Sequence, residues 1–566
     1  MQYGGEEYDI KTWQGEELNH ILAIDTETTY VPFTETPELI TFQVFDGESL
    51  LYVERSDVAR FLRTHPNHCF VFANAPFDVD VLEKATDWRV HCQIEKDLVY
   101  DILIMYRLYY LATLGNVPRK YSLSEVTQQL FGITLEKDQG VRCNFEQFQG
   151  KKVQEIPVEF LEYGARDVLA TYQAYIKLKG LIKATRSETC LSHQIQLVGA
   201  IALNRIYKNG IGFDEQSAQE LLKELNSNLL RLAGKMATYG YVRGEKGNQI
   251  RYNKAIEFLK LTDIPKTPTG DYSMKEDDLK KHNDNAFIKT YLDYKSMEKT
   301  THFIRNLKGN RVHPRYDLLK NTGRTGCSSP NFQQLPRDGK IRSMFKAKED
   351  HTFIITDYSA IELSTLAQVL YDKFGYSVMR EKINEGKDLH RYYASVLFKV
   401  DETEVKKWQR QAAKAANFGF PGGLGIQTFL EFARGYGIDI NEDEARTMRN
   451  AWFKAFPEMR KYLAGENGYV WTRTGRLRAD TTFCAEKNTP FQGLAADGAK
   501  LALYNLCHKG FKVVGFVHDE IITEVLKNNA KDLIFLQEKT MIDSMKIVVP
   551  DVAVGVESTI SERYCK

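Results

Sequence analysis

No stretch of this 566-residue chain approaches the roughly 20 uninterrupted apolar residues of a membrane-spanning helix, and its first residues, Met-Gln-Tyr-Gly-Gly-Glu-Glu, lack the basic region and apolar core of a signal peptide. A protein without membrane association, in the cytoplasm (the host's if the chain is viral), is expected. The eight cysteines are scattered with no Cys-x-x-Cys pair, so neither a zinc site nor a disulfide framework is indicated. Repeats and low-complexity tracts are absent. Net charge is nearly absent too, at +1.

That neutrality conceals two opposite parts. Residues 1–190 hold 19 Lys and Arg against 29 Asp and Glu, a net of −10, whereas residues 191–566 hold 57 against 46, a net of +11. A basic part favours binding of a phosphate backbone through counterion release, and an acidic part suits a module that holds metals and touches only a strand end. With 43% apolar residues, the length implies three to five compact units rather than one core.

Acids recur where apolar runs stop. The run His20 to Ile24 leads into Asp25-Thr26-Glu27, the run Cys69 to Ala73 leads to Asn74-Ala75-Pro76-Phe77-Asp78, and a helical stretch from Pro157 to Leu178 carries Tyr163 and Asp167 four residues apart, on one face. Acids at strand ends in an α/β pattern are a common way to build a metal site. From about 200 to 305 the pattern becomes long amphipathic helices, such as Ala218 to Leu232 and Asp284 to Leu307, around a polar, Gly-rich insert near Tyr239 to Tyr252. Residues 311–375 return to strand and loop, 376–470 are helical and rich in Lys and Arg, and the last segment holds a hairpin pattern. There Val514-Gly515-Phe516-Val517 and Ile521-Ile522-Thr523 flank His518-Asp519-Glu520. Adjacent carboxylates repel one another unless a hard cation with oxygen ligands sits among them. A second acid, Asp357, ends the apolar run Phe353 to Thr356. Together they indicate a two-metal phosphoryl-transfer site.

Three segments in order, Asp357-Tyr358-Ser359-Ala360-Ile361-Glu362, then Arg410-x-x-x-Lys414-x-x-Asn417-Phe418-Gly419, then Val517-His518-Asp519-Glu520, resemble the polymerase motifs of family A DNA polymerases, the Klenow-like group. The resemblance spans essentially the whole chain. It implies an α/β and α+β multidomain fold: an RNase H-like 3′–5′ exonuclease domain at 1–190, then a right-hand polymerase at 191–566, with thumb near 200–310, palm at 311–375, fingers at 376–470 and palm again at 471–566. It also implies primer-template DNA and dNTPs as partners, replication accessory proteins, a monomer, and no 5′ nuclease domain, since the chain starts almost at the first acidic motif.

Asp25, Glu27, Asp78 and Asp167 supply oxygen ligands from three distant segments, as two divalent ions about 3.5–4 Å apart require. With Tyr163 orienting the attacking water, the set resembles the proofreading exonuclease of the DEDD type with a tyrosine. In the polymerase part Asp357 and Asp519 would hold two further Mg²⁺ ions, with Glu520 assisting; Mn²⁺ is an expected substitute in both sites. Arg410, Lys414 and Phe418 share one helical face, and the resemblance makes this the nucleotide-binding helix, joined by Tyr358 and His390. Glu362 would be the steric gate against a 2′-hydroxyl. Arg324, Gln333, Gln334, Asn488, Gln492 and His518 match positions that read the N3 and O2 acceptors of the minor groove, which check pairing geometry without reading sequence.

The chain departs from the family in three places. Ala360 stands where glutamine is usual, Gly422 where a tyrosine is, and Cys484 where an arginine is common. Pro421 cannot donate the helical i to i−4 bond, so the fingers helix is expected to end or kink just beyond Phe420, leaving a roomier pocket beside the templating base unless another aromatic such as Phe420 or Tyr358 fills it. A dedicated exonuclease, or a non-enzymatic replication scaffold, would not need intact acids in both sites. The small size resembles a replicative enzyme of a phage or mobile element.

Overall fold

The computed structural model describes all residues except 32, 136–138, 143, 186–189, 242–247, 262, 280–281, 337 and 566. Residues 242–247 of the Gly-rich insert therefore lie outside the described residues. The chain divides into two compact units, one of residues 1–209, 316–327 and 354–560, the other of 210–315, 328–353 and 561–566. No helix among the described residues is long and apolar enough to cross a membrane.

The first unit opens on a six-stranded mixed sheet in the order Ile10–Thr12, Leu50–Val53, Leu39–Phe45, Ile21–Thr28, Cys69–Phe72, Val99–Asp101. Its strands Leu39–Phe45, Leu50–Val53 and Cys69–Phe72 are fully buried and apolar but for Thr41, Gln43 and the Tyr52 hydroxyl, as suits strands covered by helices on both sides. The long helix Val158–Ala184 lies on this sheet. Its close approach depends on Gly164, where a Cβ would come within 2.7 Å of Gln43 Nε2 and 2.8 Å of Tyr52 Oη. That approach brings Asp167, three residues on, to the acids of the Ile21–Thr28 strand.

The second sheet of this unit runs in the order Val513–Val517, Glu520–Leu526, His351–Tyr358, Val556–Ser561. The hairpin predicted from the alternation at 514–524 forms, with Val517 paired to Glu520 and only His518 and Asp519 in the turn. A file of buried polar groups ties the strands together below it. Thr523 Oγ1 donates to Gln537 Oε1 at 2.6 Å, Gln537 Nε2 donates to Thr356 Oγ1 at 2.9 Å, and Thr356 and Ser558 hydroxyls meet at 2.8 Å. Residues 376–470 are helical as expected, including Leu389–Phe398, Lys407–Gly419, Ile426–Gly435 and Glu442–Ala455. The helix Phe483–His508 follows.

The second unit is built on the paired helices Glu215–Ala237 and Ala286–Arg305, longer and shorter respectively than the amphipathic pattern suggests. Its core joins Leu232 and Met236 to the aromatics Tyr241, Tyr252, Phe287 and Tyr291.

Candidate active sites

Asp25 and Glu27 point to the same side of their strand, two residues apart, and the Val158–Ala184 helix adds Asp167. One carboxylate oxygen from each lies within 4.8 Å of the others. Asp25 is fixed by its cross-strand partner, since Gln43 stands directly opposite and its Nε2 donates to Asp25 Oδ2 at 2.6 Å. Asp78 is buried on the helix Ala75–Ala85, where its Oδ1 accepts from Thr26 N at 3.1 Å and Thr26 Oγ1 at 2.7 Å. Burial, then the charges of Asp78, Glu27 and Asp167, push the Asp25 carboxyl well above its ordinary range. Burial raises Asp78 to about 7 against the opposing Thr26 bonds. Crowded carboxylates that resist ionisation, offering only oxygen donors, fit a hard divalent cation. Tyr163 lies one turn before Asp167, with its ring 6.2 Å from that of Phe145.

In the second cluster, Asp357 is the last residue but one of its strand, and Asp519 sits in the turn at the start of the neighbouring strand. His518 adopts φ +61°, a left-handed conformation that a non-glycine residue rarely takes and that concentrates at functional sites. Glu520 is buried, Asp519 half-buried and His518 exposed. Arg324 forms an ion pair with Glu362, at the first turn of the helix Ile361–Phe374, and also feels the charge of Asp519. Burial first, and the charge of Asp519 second, hold the Tyr358 phenol well above its ordinary range; its Oη donates to the Met541 carbonyl at 2.7 Å. Asp519, Tyr358, Arg324 and Glu362 are thus brought together. Ala360, the first departure, caps this helix at φ +50° with no side-chain hydrogen bond.

Arg410, Lys414 and Phe418 line one face of Lys407–Gly419. Arg410 Nε donates to Asp388 Oδ2 at 2.7 Å, and Lys414 Nζ stands 6.0 Å from the Phe418 ring centroid. Asp388 also caps the Leu389–Phe398 helix through the amide of His390. His390 is buried with its ring 5.5 Å from Phe418 and its Nδ1 3.0 Å from Asn417 Nδ2; burial, outweighing the pull of Asp388, lowers it to about 4, so it is neutral at pH 7. Sequence reasoning missed Gln43 and Asp388. A buried amide beside Thr41 inside the otherwise apolar strand Leu39–Phe45, and an Asp placed just before a helical run, are the signals that would have found them.

The helix ends at Gly419 and continues only as a tight turn over Phe420–Gly422, with Gly423 at φ +77°. The end falls where Pro421 predicts it. The expected spare room does not follow. A Cβ on Gly422 would lie 2.5 Å from Asn488 Nδ2, so the Asn488 amide occupies the space, held by a 2.8 Å bond to the Cys484 carbonyl and a 3.3 Å bond from Gln492 Nε2. Neither aromatic fills it: Phe420 turns inward onto Phe429 and Trp452, at 4.2 and 5.6 Å, and Tyr358 is buried beneath the acids. Gln333 and Gln334 belong to the second unit, on a turn anchored by buried Phe332 against Phe345.

Residues 216–565 match the family described as DNA polymerase family A, and residues 10–183 match a 3′–5′ exonuclease family. A DNA polymerase I of Aquifex aeolicus is 30% identical over 534 residues, covering 86% of this chain and 90% of its own. DNA polymerases I of Chloroflexus aurantiacus and Pseudomonas aeruginosa are 27% and 26% identical; the matches cover 71% and 89% of this chain but only 46% and 59% of theirs. Among solved structures, the POL domain of Pol1 from M. smegmatis, in complex with DNA primer-template and dNTP, superposes with a TM-score of 0.76 at 19% identity, over 98% of this chain and 99% of that one. At that identity the likeness speaks for the fold.

Proposed function

The chain belongs to family A of the DNA polymerases, with a 3′–5′ exonuclease domain, and on that premise we propose that it extends a primer 3′ end with dNTPs at one carboxylate cluster and removes nucleotides from that end at the other. The observation that carries the reading is Asp519, held in a two-residue turn on the strand beside Asp357, with Arg324 and Glu362 brought to it.

Asp357 and Asp519 are assigned to Mg²⁺ in the polymerase site with Glu520 in support, and Asp25, Glu27, Asp167 and Asp78 in the exonuclease site. Divalent cations held by these carboxylates would supply the charge that activates the attacking hydroxyl or water and neutralises the departing oxygen. Arg410 and Lys414 bind the triphosphate, Phe418 stacks on the incoming nucleotide, and neutral His390 backs Phe418. Arg324, Asn488, Gln492 and His518, with Gln333 and Gln334, meet the minor groove. Tyr163 orients the water of the exonuclease. Residues 1–190 form the exonuclease domain and 191–566 the polymerase. The relatives named above are bacterial enzymes and lend no support to a phage or mobile-element origin. Templated incorporation on a recessed primer with Mg²⁺ and four dNTPs tests the reading; a primer that is shortened but never lengthened would contradict it.

Two further outcomes follow from the site. With Glu362 assigned as the steric gate against a 2′-hydroxyl, Glu362→Ala should raise ribonucleotide use by about 1–3 kcal/mol, roughly 10- to 200-fold. Steady-state kinetics with dNTP and rNTP check this, and an unchanged preference would remove Glu362 from the role. Gly422→Tyr must push the Asn488 amide aside and lose its bond from Gln492, a change of about 1 kcal/mol or roughly fivefold in misinsertion. In an Asp25→Ala, Glu27→Ala background it should shift misinsertion in the same direction as Asn488→Ala; opposite shifts, or none, would show that Asn488 does not act at Gly422.

A further inference from the structure

The exonuclease segment grips the part of the polymerase segment that carries Arg324. Its helix Ile102–Leu114 ends at Gly115, at φ +70°, so close to the Ala479 carbonyl that no Cβ could stand there. Around that end the Leu111 carbonyl accepts from Ala479 N at 3.1 Å and the Gly115 carbonyl from Arg478 Nε at 3.1 Å. Asn321 Nδ2 donates to Asn116 Oδ1 at 2.6 Å, while its Oδ1 accepts from Val117 N at 3.0 Å.

Arg107, on the same helix, is buried. Its Nη2 donates to Asp317 Oδ1 at 2.6 Å and to the Leu319 carbonyl at 2.5 Å, and its guanidinium lies 4.4 Å over the Tyr121 ring. A buried guanidinium is costly unless its charge is paired, and Arg107 meets that cost through Nη2 on Asp317 and Leu319 alone, since its Nε has no hydrogen-bond partner among the described residues. Those partners open the loop that leads to Arg324. The loop closes on itself through Gly323 N to the Lys320 carbonyl and Lys320 N to the Arg324 carbonyl, both 2.8 Å, and its far side is held by Lys500 Nζ on the Gly323 carbonyl at 2.8 Å. Arg478, gripped by Gly115, also reaches Thr489 Oγ1 at 3.0 Å, next to Asn488. The Arg324 loop and the helical turn beside Asn488 are therefore both tied to the end of one exonuclease helix.

We infer that Arg107 is a positioning residue of the polymerase reaction: by fixing Asp317 and Leu319 it sets the loop from which Arg324 meets the primer terminus, so the exonuclease segment governs how well the polymerase tells a paired from a mispaired primer end. The inference rests on the reading of Arg324 proposed above.

Single-turnover extension of matched and mismatched primer ends, with the full chain carrying Asp25→Ala and Glu27→Ala, tests it. Arg107→Met should slow matched extension by about 10- to 100-fold and narrow the matched-to-mismatched ratio, as a misplaced group near the reacting atoms does. Arg107→Lys should recover part of the loss. With Asp25 and Glu27 restored, single-stranded DNA should be degraded by Arg107→Met as fast as by the wild type. Added to Arg324→Ala, Arg107→Met should change extension no further, because the two act as one unit. Asp317→Asn removes the charge that Arg107 meets, from the polymerase side, and replaces Arg107→Met if that variant does not fold. Additive losses with Arg324→Ala, or equal losses of extension and degradation, would overturn the inference. A ratio unchanged in Arg324→Ala would sink the reading of Arg324; a ratio narrowed in Arg324→Ala but not in Arg107→Met or Asp317→Asn would sink the inference alone.

Discussion

Asp519→Ala is expected to lower primer extension by about 10³-fold or more, some 4 kcal/mol of transition-state stabilisation, while a 3′ end is still trimmed at the wild-type rate. The size of the effect follows from the turn. His518 takes a strained left-handed conformation that leaves Asp519 at the hairpin tip beside Arg324 and Tyr358, and no other residue of the turn offers a carboxylate. Glu520 is buried in the first position of the strand and cannot replace it. Trimming is spared because Asp25, Glu27, Asp78 and Asp167 lie on other elements and share no ligand with Asp519. Gel-resolved extension and degradation by the same preparation check both halves, and extension surviving in Asp519→Ala would remove this residue from the reaction.

The converse pair, Asp25→Ala with Glu27→Ala, should suppress 3′-end degradation by about 10³-fold or more and leave extension within about twofold. Only Asp167 of the close trio would remain, too little to hold a cation. The metal-free fold should not suffer. An acid whose folded pKa lies above its unfolded value, as for Asp25, destabilises the fold as pH rises past that unfolded value, so its removal is expected to keep or raise the thermal midpoint at neutral pH without metal. Trimming of single-stranded DNA at the wild-type rate by this variant would contradict the exonuclease assignment.

The parts of both sites that depend on local pattern were legible in the sequence. Alternation on either side of His518-Asp519-Glu520 specifies a hairpin, the four-residue spacing of Arg410, Lys414 and Phe418 specifies a helical face, and Pro421 specifies where that helix stops. What depends on approach between distant segments was not. Nothing local says that Gln43 stands opposite Asp25, that Gly164 lets a helix settle on Gln43 and Tyr52, or that Arg324 pairs with Glu362. The vacancy at Gly422 misled for the same reason, because the Asn488 that occupies it comes from a helix more than sixty residues on. Arg107 was invisible as a functional residue, since its partners lie more than two hundred residues away.

The central claim is that one chain inserts and removes nucleotides at two separate carboxylate clusters. Idling turnover tests it most directly: the enzyme is given a primer-template, Mg²⁺ and only the next correct dNTP, labelled, and release of the labelled monophosphate is followed. The wild type should produce monophosphate continuously. Asp519→Ala should produce none, for want of insertion, and Asp25→Ala with Glu27→Ala none, for want of removal, while a mixture of the two variants should restore it. Continuous monophosphate release by either variant alone would contradict the account.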